Sequence, residues 1–276
     1  MSWWAVDVQS DPAFRDAVAA WLVSQTGQAV EERPDGTLVG FAGDAAGAEG
    51  LCHRIRHQFE PAVTVTSRAL GDVDWTTRWR DGIAARRLGR LTLVPSWLPV
   101  PEDAELVIVI DPETAFGTGE HGSTRAALRL LEALIQPGDL VLDLGSGSGI
   151  LAIAAARLGA RRAIGIEVDE EAMPVAAGNA LRNGVSDRAE FLHGDAADLA
   201  PLAGPADLVV SNILRVPNVA LLPAITRALA PGGIAIFAGM EVPERALFLP
   251  ELERAGYQPI QEMEDEGWWA VAARRP

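Results

Sequence analysis

The chain reads L-V-L-D-L-G-S-G-S-G-I-L-A-I-A-A-A-R-L-G-A-R-R-A-I-G-I-E-V-D from Leu140 to Asp169. An apolar run at its start ends in the loop Gly145-Ser146-Gly147-Ser148-Gly149. Small apolar residues at helical spacing follow from Ile150 to Leu158, and a second apolar run ends at Glu167. The order strand, glycine loop, helix, strand, acid predicts one βαβ unit with a nucleotide-sized site at its carboxyl edge.

Strands and helices alternate on both sides of this unit. Further strands are predicted at residues 106–110, 189–193, 207–211 and 234–238, and further helices at residues 123–135, 171–183, 219–229 and 244–255. The alternation predicts an α/β domain whose mostly parallel sheet has helices on both faces. Residues 257–262 and 268–273 flank the turn E-D-E-G and predict a terminal antiparallel hairpin. Strands followed by helices and closed by a hairpin are the order of the class I methyltransferase fold, a Rossmann-like doubly wound sheet.

The first 70 residues follow a different pattern. Their predicted order is β-α-β-β-α-β, which is typical of a small α+β ferredoxin-like domain. His53 and His57 lie four residues apart on one predicted helix, but no third ligand follows at useful spacing, so no metal site is expected. A domain of this kind without chemistry is expected to recognise a substrate or to dimerise. We therefore predict three parts: a recognition domain at 1–70, a linker or hinge at 71–105 and a catalytic domain at 106–276.

Composition limits the partners and the compartment. The chain of 276 residues has a net charge of −15 and a pI near 4.7. Nucleic-acid binding needs a basic surface, so no direct nucleic-acid partner is expected, whereas a basic protein partner is compatible with this charge. There is no apolar run of the ~18 residues that span a bilayer and no signal-peptide pattern, so we expect no membrane partner. The single Cys52 fits a reducing compartment, and we expect a cytoplasmic monomer.

The glycine loop predicts a binding site for an anionic or nucleotide ligand. Glycines at 145, 147 and 149 let the backbone approach a ligand closely, and the following helix begins with free N–H groups that attract an anion. That anion can be a pyrophosphate or an amino-acid carboxylate. The dinucleotide fingerprint G-x-G-x-x-G requires glycine at position 150, where this chain has Ile150. The loop alone is a weak signal, because it also occurs as a simple tight turn.

Polar residues at three further strand ends make the prediction more specific. Glu167 is placed to accept hydrogen bonds from both hydroxyls of a ribose. Asp195 is placed to meet an adenine amino group, although it can equally cap a helix. Asn212 can orient an amine, or it can cap its own loop. Because these residues share one edge of the sheet, the set favours S-adenosyl-L-methionine over a nicotinamide dinucleotide.

Four motifs carry a resemblance to a known family. They are D-P-E-T-A-F-G-T-G-E-H-G-S-T at 111–124, V-L-D-L-G-S-G-S-G-I-L-A-I-A-A at 141–155, S-N-I-L at 211–214 and G-W-W at 267–269. With them the chain resembles the methyltransferases of ribosomal protein L11, a bacterial family of protein-lysine methyltransferases. The resemblance covers residues 75–276 well and the first domain only in topology. It implies that the first domain grips the substrate and that the linker lets the catalytic domain reach several amines.

The resemblance also implies roles for individual residues. The cofactor-binding positions of the family fall on Thr124, Gly145, Glu167 and Asn212, and Phe116 matches an aromatic residue beside the cofactor or the incoming amine. Asn212 is expected to orient the amine. The family usually has aspartate where this chain has Glu167. Glutamate keeps the carboxylate but reaches one methylene further.

Other functions stay open at this point. The resemblance implies methylation of ribosomal protein L11, on lysine side chains or on the N-terminal amine. The main alternative is methylation of another protein or of a small amine. Two alternatives are more distant. Ile150 and the terminal hairpin disfavour a nicotinamide-dependent dehydrogenase, and the set of strand-end residues disfavours a non-catalytic cofactor-binding protein.

Overall fold

A computed structural model describes residues 3–26, 30–33, 35–70, 84–111, 117 and 119–275. The chain divides into two compact units, Met1–Gly82 and Ile83–Pro276. No helix in the described part of the chain has the length and apolar character to cross a membrane.

The described residues of the first unit form a four-stranded antiparallel sheet and two α-helices. Its elements are β1 (Trp4–Ser10), α1 (Arg15–Thr26), β2 (Glu31–Glu32), β3 (Leu38–Ala42), α2 (Ala45–Phe59) and β4 (Val63–Ala69). The strand order β2-β3-β1-β4 places the first and last strands side by side in the ferredoxin-like arrangement. The predicted topology of this unit is therefore confirmed.

Alternation along β1 explains how this unit builds its core. Val6 and Val8 point to the same face, because side chains two apart in a strand share a face, and both are fully buried. The amphipathic helix α2 packs on that face through Leu51 and Ile55. The Asp44 side chain caps α2 by accepting a hydrogen bond of 2.7 Å from the Gly47 N–H. The sequence predicts this helix from Ala48, three residues after its observed start at Ala45.

The second unit begins inside the predicted linker. The apolar residues after Leu88 predict a single strand at residues 88–95. The structure instead has a hairpin of β5 (Arg86–Leu88) and β6 (Leu91–Val94), which turns at Gly89 with φ +59°. Strand β7 (Leu106–Val109) pairs in parallel with β6. Part of the segment 71–105 thus belongs to a three-stranded sheet of the second unit, because the apolar residues of β6 are buried there. Residues 71–83 lie outside the described residues.

The rest of the second unit alternates helices and strands as predicted. The remaining elements are α3 (Gly122–Leu134), β8 (Leu140–Leu144), α4 (Ile150–Arg157), β9 (Arg162–Glu167), α5 (Ala172–Arg182), β10 (Ala189–His193), α6 (Ala196–Ala203), β11 (Ala206–Asn212), α7 (Arg215–Ala228), β12 (Leu229–Glu241), α8 (Arg245–Arg254), β13 (Gln258–Asp265) and β14 (Trp268–Arg274). The sequence did not predict α6, because Pro201 and its small side chains obscure a helical pattern. Helix α6 supplies the crossover between β10 and β11.

The main sheet has seven strands in the order β10-β9-β8-β11-β12-β14-β13. Strands β8 to β12 pair in parallel, and β14 and β13 close the sheet as an antiparallel hairpin. The chain runs outward from β8 through β9 to β10 and then returns to the other side of β8 with β11. The point where the direction reverses opens a crevice at the carboxyl ends of the strands, which is where ligands bind in open α/β sheets. The class I methyltransferase fold predicted from the sequence is confirmed.

Candidate functional site

A cavity of about 640 Å³ lies at the carboxyl edge of the main sheet. Its walls come from the ends of β8, β9 and β11, from the start of α7 and from the hairpin at the end of the chain. Its lining includes Gly145, Gly147, Glu167, Asp195, Asn212, Gly239, His121 and Trp268. The structure thus brings five of the predicted site residues, from four separate loops, to one cavity.

The glycine loop forms the floor of the cavity after β8. Gly145 has φ +74°, a conformation that only glycine adopts easily, and a Cβ atom there would lie 2.6 Å from Cγ2 of Ile213. Gly147 also has positive φ, at 50°. At Gly149, with φ +81°, a Cβ atom would lie 2.6 Å from the ring of Phe191. The loop therefore needs these glycines both for its backbone conformation and for close packing.

Glu167 ends β9 and organises the loop around itself. Its Oε2 atom accepts a hydrogen bond of 2.8 Å from the Gly147 N–H, and its Oε1 atom accepts from the N–H groups of Val168 and Asp169 at 2.9 and 3.0 Å. A carboxylate has about four lone-pair positions, so acceptor capacity remains for a hydroxyl donor in the cavity.

Asp195 follows β10 and performs the capping role that the sequence left open. Its Oδ1 atom accepts a hydrogen bond of 2.8 Å from the Ala197 N–H and caps α6. The residue is exposed and also lines the cavity. The capping bond fixes the carboxyl group at the cavity wall, so helix capping and ligand contact are compatible here.

A hydrogen bond between Asn212 and Thr124 joins the end of β11 to the start of α3. The Asn212 Nδ2 group donates a hydrogen bond of 3.2 Å to Oγ1 of Thr124, which is fully buried in the first turn of α3 and does not line the cavity. The Oδ1 atom of Asn212 is buried and has no hydrogen-bond partner. A buried acceptor without a partner costs free energy, so this oxygen is ready to accept a hydrogen bond from a ligand amine.

The start of α4 is capped from within the protein. The Oδ2 atom of Asp143, in the middle of β8, accepts a hydrogen bond of 3.0 Å from the Ala152 N–H. Ile150 is buried and does not line the cavity. The sequence pattern suggested free N–H groups for an external anion, but a buried carboxylate takes up part of this helix terminus. Burial raises the pKa of Asp143 to about 7, and the charge of Glu167 adds to this effect.

Two aromatic residues that the sequence did not assign complete the wall. The rings of His121 and Trp268 are 4.1 Å apart between centroids, at 55° to each other, and Nδ1 of His121 lies 2.7 Å from Oγ of Ser123. Burial lowers the pKa of His121, and the charge of Arg125 lowers it further, so the neutral ring is favoured at pH 7. The signal for both residues was their place in the motifs E-H-G-S-T and G-W-W.

Asn179 of α5 ties the segment after β7 to the glycine loop. Its Nδ2 group donates to the carbonyls of Asp111 and Ser148 at 3.2 and 3.0 Å, and its Oδ1 atom accepts from the Asp111 N–H at 3.1 Å. The Ser148 hydroxyl in turn donates to the Gly117 carbonyl at 2.5 Å. The motif that begins at Asp111 is thereby fastened to the site. Phe116, predicted to flank the cofactor or amine, lies outside the described residues.

The residues present fit S-adenosyl-L-methionine. Gly145 and Gly147 provide a floor without side chains, Glu167 and Asp195 provide acceptors for hydroxyl and amino groups, and Asn212 provides an unpartnered carbonyl oxygen. The cavity is large enough for a small-molecule cofactor, since such sites commonly measure about 300–1,000 Å³.

Comparison with known proteins identifies the family. A family model described as Ribosomal protein L11 methyltransferase (PrmA) matches residues 23–276. The chain belongs to this family. Membership of the L11 methyltransferase family confirms the resemblance seen in the sequence, shows that the protein is a methyltransferase and, together with the fold, supports S-adenosyl-L-methionine as its cofactor.

Individual relatives agree with the family model. The ribosomal protein L11 methyltransferase of Pelotomaculum thermopropionicum is 43% identical over 216 residues, which cover 78% of this chain and 70% of the relative. The protein of the same name from Thermus thermophilus is 41% identical over 204 residues, covering 74% and 78%. A crystal structure of the ribosomal protein L11 methylase from Lactobacillus delbrueckii subsp. bulgaricus superposes with a TM-score of 0.62 at 33% identity. It covers 70% of this chain and 100% of that chain.

Proposed function

We propose that the protein transfers methyl groups from S-adenosyl-L-methionine to amino groups of ribosomal protein L11. The observation that carries the acceptor chemistry is the buried, unpartnered Oδ1 atom of Asn212 in the cavity. A carbonyl oxygen accepts hydrogen bonds from an amine but offers it no proton. The proposed substrate follows the name shared by the family and by the relatives from Pelotomaculum thermopropionicum and Thermus thermophilus.

The residues of the site have separate tasks in this proposal. Glu167 and Asp195 bind the nucleoside end of the cofactor, Gly145 and Gly147 let the cofactor lie close to the backbone, and Thr124 holds the Asn212 amide in place. When bound, S-adenosyl-L-methionine supplies a methyl group already activated by a positive sulfonium. The protein therefore has to orient the amine nucleophile in line with that group rather than to activate the methyl.

The state of the acceptor amine sets the main energetic demand. A lysine side chain has a pKa of ~10.4, so its neutral form at pH 7 is disfavoured by about 4.6 kcal/mol. An apolar wall that excludes water lowers this cost, because burial disfavours the charged amine. Trp268, Leu214 and Pro217 supply apolar surface to the cavity that Asn212 also lines. The Asn212 oxygen then orients the neutral amine, and water outside the cavity receives the proton.

We also propose a division of labour along the chain. The first domain (residues 1–70) contacts the substrate protein, and the segment after it acts as the hinge that allows the catalytic domain to reach more than one amine. The net charge of −15 supports a basic protein partner and no direct contact with nucleic acid. In this proposal the enzyme acts as a monomer in the cytoplasm, where ribosomal proteins are found.

The test is methyl transfer to purified ribosomal protein L11 with labelled S-adenosyl-L-methionine, followed by peptide mass spectrometry. The chain contains no lysine, so every methyl-lysine detected comes from the substrate and not from self-modification. We expect label in L11 with the wild-type enzyme and strongly reduced label with Asn212→Ala. Label that appears in a lysate on another protein, but not on L11, would overturn the substrate assignment.

A thermal-shift comparison separates the cofactor alternatives. S-adenosyl-L-methionine is expected to raise the melting temperature, because a ligand that binds only the native state stabilises it, whereas NADH is expected to leave the melting temperature unchanged. Stabilisation by NADH alone would favour the dehydrogenase alternative. Stabilisation by S-adenosyl-L-methionine without transfer to any protein or small amine would favour a non-catalytic binding protein.

A further inference from the structure

An ion-pair cluster holds the terminal hairpin against the start of α3. The side chain of Arg125 is 3% exposed, and its Nη2 atom lies 2.5 Å from Oδ1 of Asp265 and 2.7 Å from Oε2 of Glu266. Its Nε group donates to the same Asp265 oxygen at 3.0 Å, and its Nη1 group donates to the Glu120 carbonyl. We call Arg125, Asp265 and Glu266 the hairpin clamp.

The turn held by this clamp is locally unfavourable for its sequence. Glu266 has φ 48° and Gly267 has φ 83°, so both residues of the two-residue turn have positive φ, as in a type I′ hairpin turn. Asparagine or glycine is strongly preferred at the first of these positions, and glutamate is uncommon there. Glu266 is otherwise 72% exposed, and the ion pair of its side chain with Arg125 is the contact that an asparagine would not reproduce.

The clamp brings Trp268 into contact with the first turn of α3. Trp268 is the first residue of β14, directly after the turn, and it pairs with Glu241 at the carboxyl end of β12. A Cβ atom on Gly122 would lie 2.5 Å from the Asp265 carbonyl oxygen and 2.8 Å from Cδ1 of Trp268. The absence of a side chain at Gly122 therefore permits the close packing that sets Trp268 on the ring of His121.

The position of Trp268 in the sheet places it on the acceptor side of the cavity. Strand β14 is four strands from β9, which carries the proposed ribose ligand Glu167, but only two from β11, which carries Asn212. At about 4.8 Å per strand the first separation is about 19 Å and the second about 10 Å. Trp268 thus lies on the far side of Asn212 from Glu167, next to the residue proposed to orient the amine.

We infer that Arg125 is a positioning residue for methyl transfer, which acts through the turn Asp265–Glu266 to hold Trp268 against His121 at the acceptor side of the cavity. This inference rests on the proposed function. The bond between Arg125 and Asp265 has the electrostatic effect that the geometry requires: it raises the pKa of Arg125 and lowers the pKa of Asp265. Arg125 and Asp265 therefore stay charged near neutral pH and can hold the turn there.

The mildest test is Glu266→Asn, because it favours the local turn while removing one arm of the clamp. A side chain that served only the fold would give an unchanged or slightly more stable and fully active variant. The inference predicts that kcat/KM for ribosomal protein L11 falls about tenfold, since small displacements of substrate-positioning groups have large effects on rate. The dissociation constant of S-adenosyl-L-methionine is expected to change by less than about twofold. Glu264→Asn, an exposed position on β13 outside the clamp, is the matched control and should not change kcat/KM.

A double-mutant cycle with Trp268→Leu shows whether the clamp acts through Trp268. In the Trp268→Leu background, Glu266→Asn is expected to have no further effect on kcat/KM, because the residue it positions is gone. Additive effects of the two substitutions would overturn the inference, as would full activity of Glu266→Asn alone. Arg125→Lys keeps the charge but not the forked geometry, so its kcat/KM should lie between those of wild type and Glu266→Asn. If the wild-type enzyme does not methylate L11, the proposed function fails first and separately from the clamp.

Discussion

The Nδ2 group of Asn212 donates a hydrogen bond of 3.2 Å to Oγ1 of Thr124, and this bond joins the end of β11 to the first turn of α3. The two residues are 88 positions apart in sequence. With Nδ2 held by Thr124, the Oδ1 atom of Asn212 is the part of the amide without a partner. The orientation of the amide therefore depends on a residue that does not itself line the cavity.

Thr124→Val keeps the shape of the side chain and removes this hydrogen bond. We expect kcat to fall about two- to tenfold, because one such hydrogen bond typically contributes about 0.5–1.5 kcal/mol. Single-turnover methyl transfer measures the effect. Thr226→Val is the control, because Thr226 bonds to Leu222 and Tyr257 away from the cavity. Equal rates for wild type and Thr124→Val would show that Asn212 does not need this anchor.

Glu167→Gln tests the ribose assignment. The carboxylate accepts three backbone N–H groups and lines the cavity, and a neutral amide would replace one of its two oxygens by a donor. We expect the dissociation constant of S-adenosyl-L-methionine to rise at least about tenfold, because hydrogen bonds to charged groups contribute about 1.5–3 kcal/mol. Calorimetry gives this constant directly. The control is Glu190→Gln on the neighbouring strand β10, where Glu190 forms an exposed ion pair with Arg162; this variant should bind S-adenosyl-L-methionine normally. Normal binding by Glu167→Gln would refute the ribose assignment.

Asp143 makes stability depend on pH in a direction opposite to most acids. Burial raises its pKa to about 7, so between about pH 4 and 7 the folded protein keeps a proton that the unfolded chain releases. The contribution of this residue to stability is therefore highest at low pH and is lost as the pH rises, by up to about 4 kcal/mol at pH 8.

Urea unfolding of wild type and Asp143→Asn over this pH range isolates the effect. The stability of wild type relative to Asp143→Asn is expected to decrease steadily from pH 4.5 to pH 8, since asparagine does not titrate. Taking the difference removes the contribution of the other carboxylates. A difference that stays constant across the range would mean that Asp143 titrates near its ordinary pKa.

Gly239 and Gly232 offer a matched pair on β12. Both have positive φ, +84° and +76°, but a Cβ atom on Gly239 would lie 2.3 Å from the Ile213 carbonyl oxygen, whereas nothing lies within 4 Å of one on Gly232. Gly232→Ala is expected to cost only the backbone conformation, about 1 kcal/mol, in free energy of unfolding. Gly239→Ala should cost more and also reduce methyl transfer, because the clash is with backbone next to Asn212. Equal stability and activity of the two variants would contradict this.

The order of elements could be read from the sequence because it follows from local chemistry. Hydrophobic periodicity and the glycine loop between β8 and α4 are properties of neighbouring residues, and they predicted both the α/β unit and the ferredoxin-like domain. Helix α6 was not predicted, because Pro201 and the alanines of this segment give little alternation between apolar and polar residues. A single strand was predicted at residues 88–95 in place of the β5–β6 hairpin, since only two residues separate Leu88 from the apolar residues of β6.

The sequence alone determined which residues end the strands: Gly145, Glu167, Asp195 and Asn212 gather at one edge in any parallel sheet with this order. Their partners were decided only by the tertiary structure. The anchor of Asn212 on Thr124, the internal cap that Asp143 makes on α4 and the contact of Trp268 with His121 all join segments distant in the chain. Local pattern contains no information on such pairs, because their geometry depends on how helices and the terminal hairpin pack on the sheet.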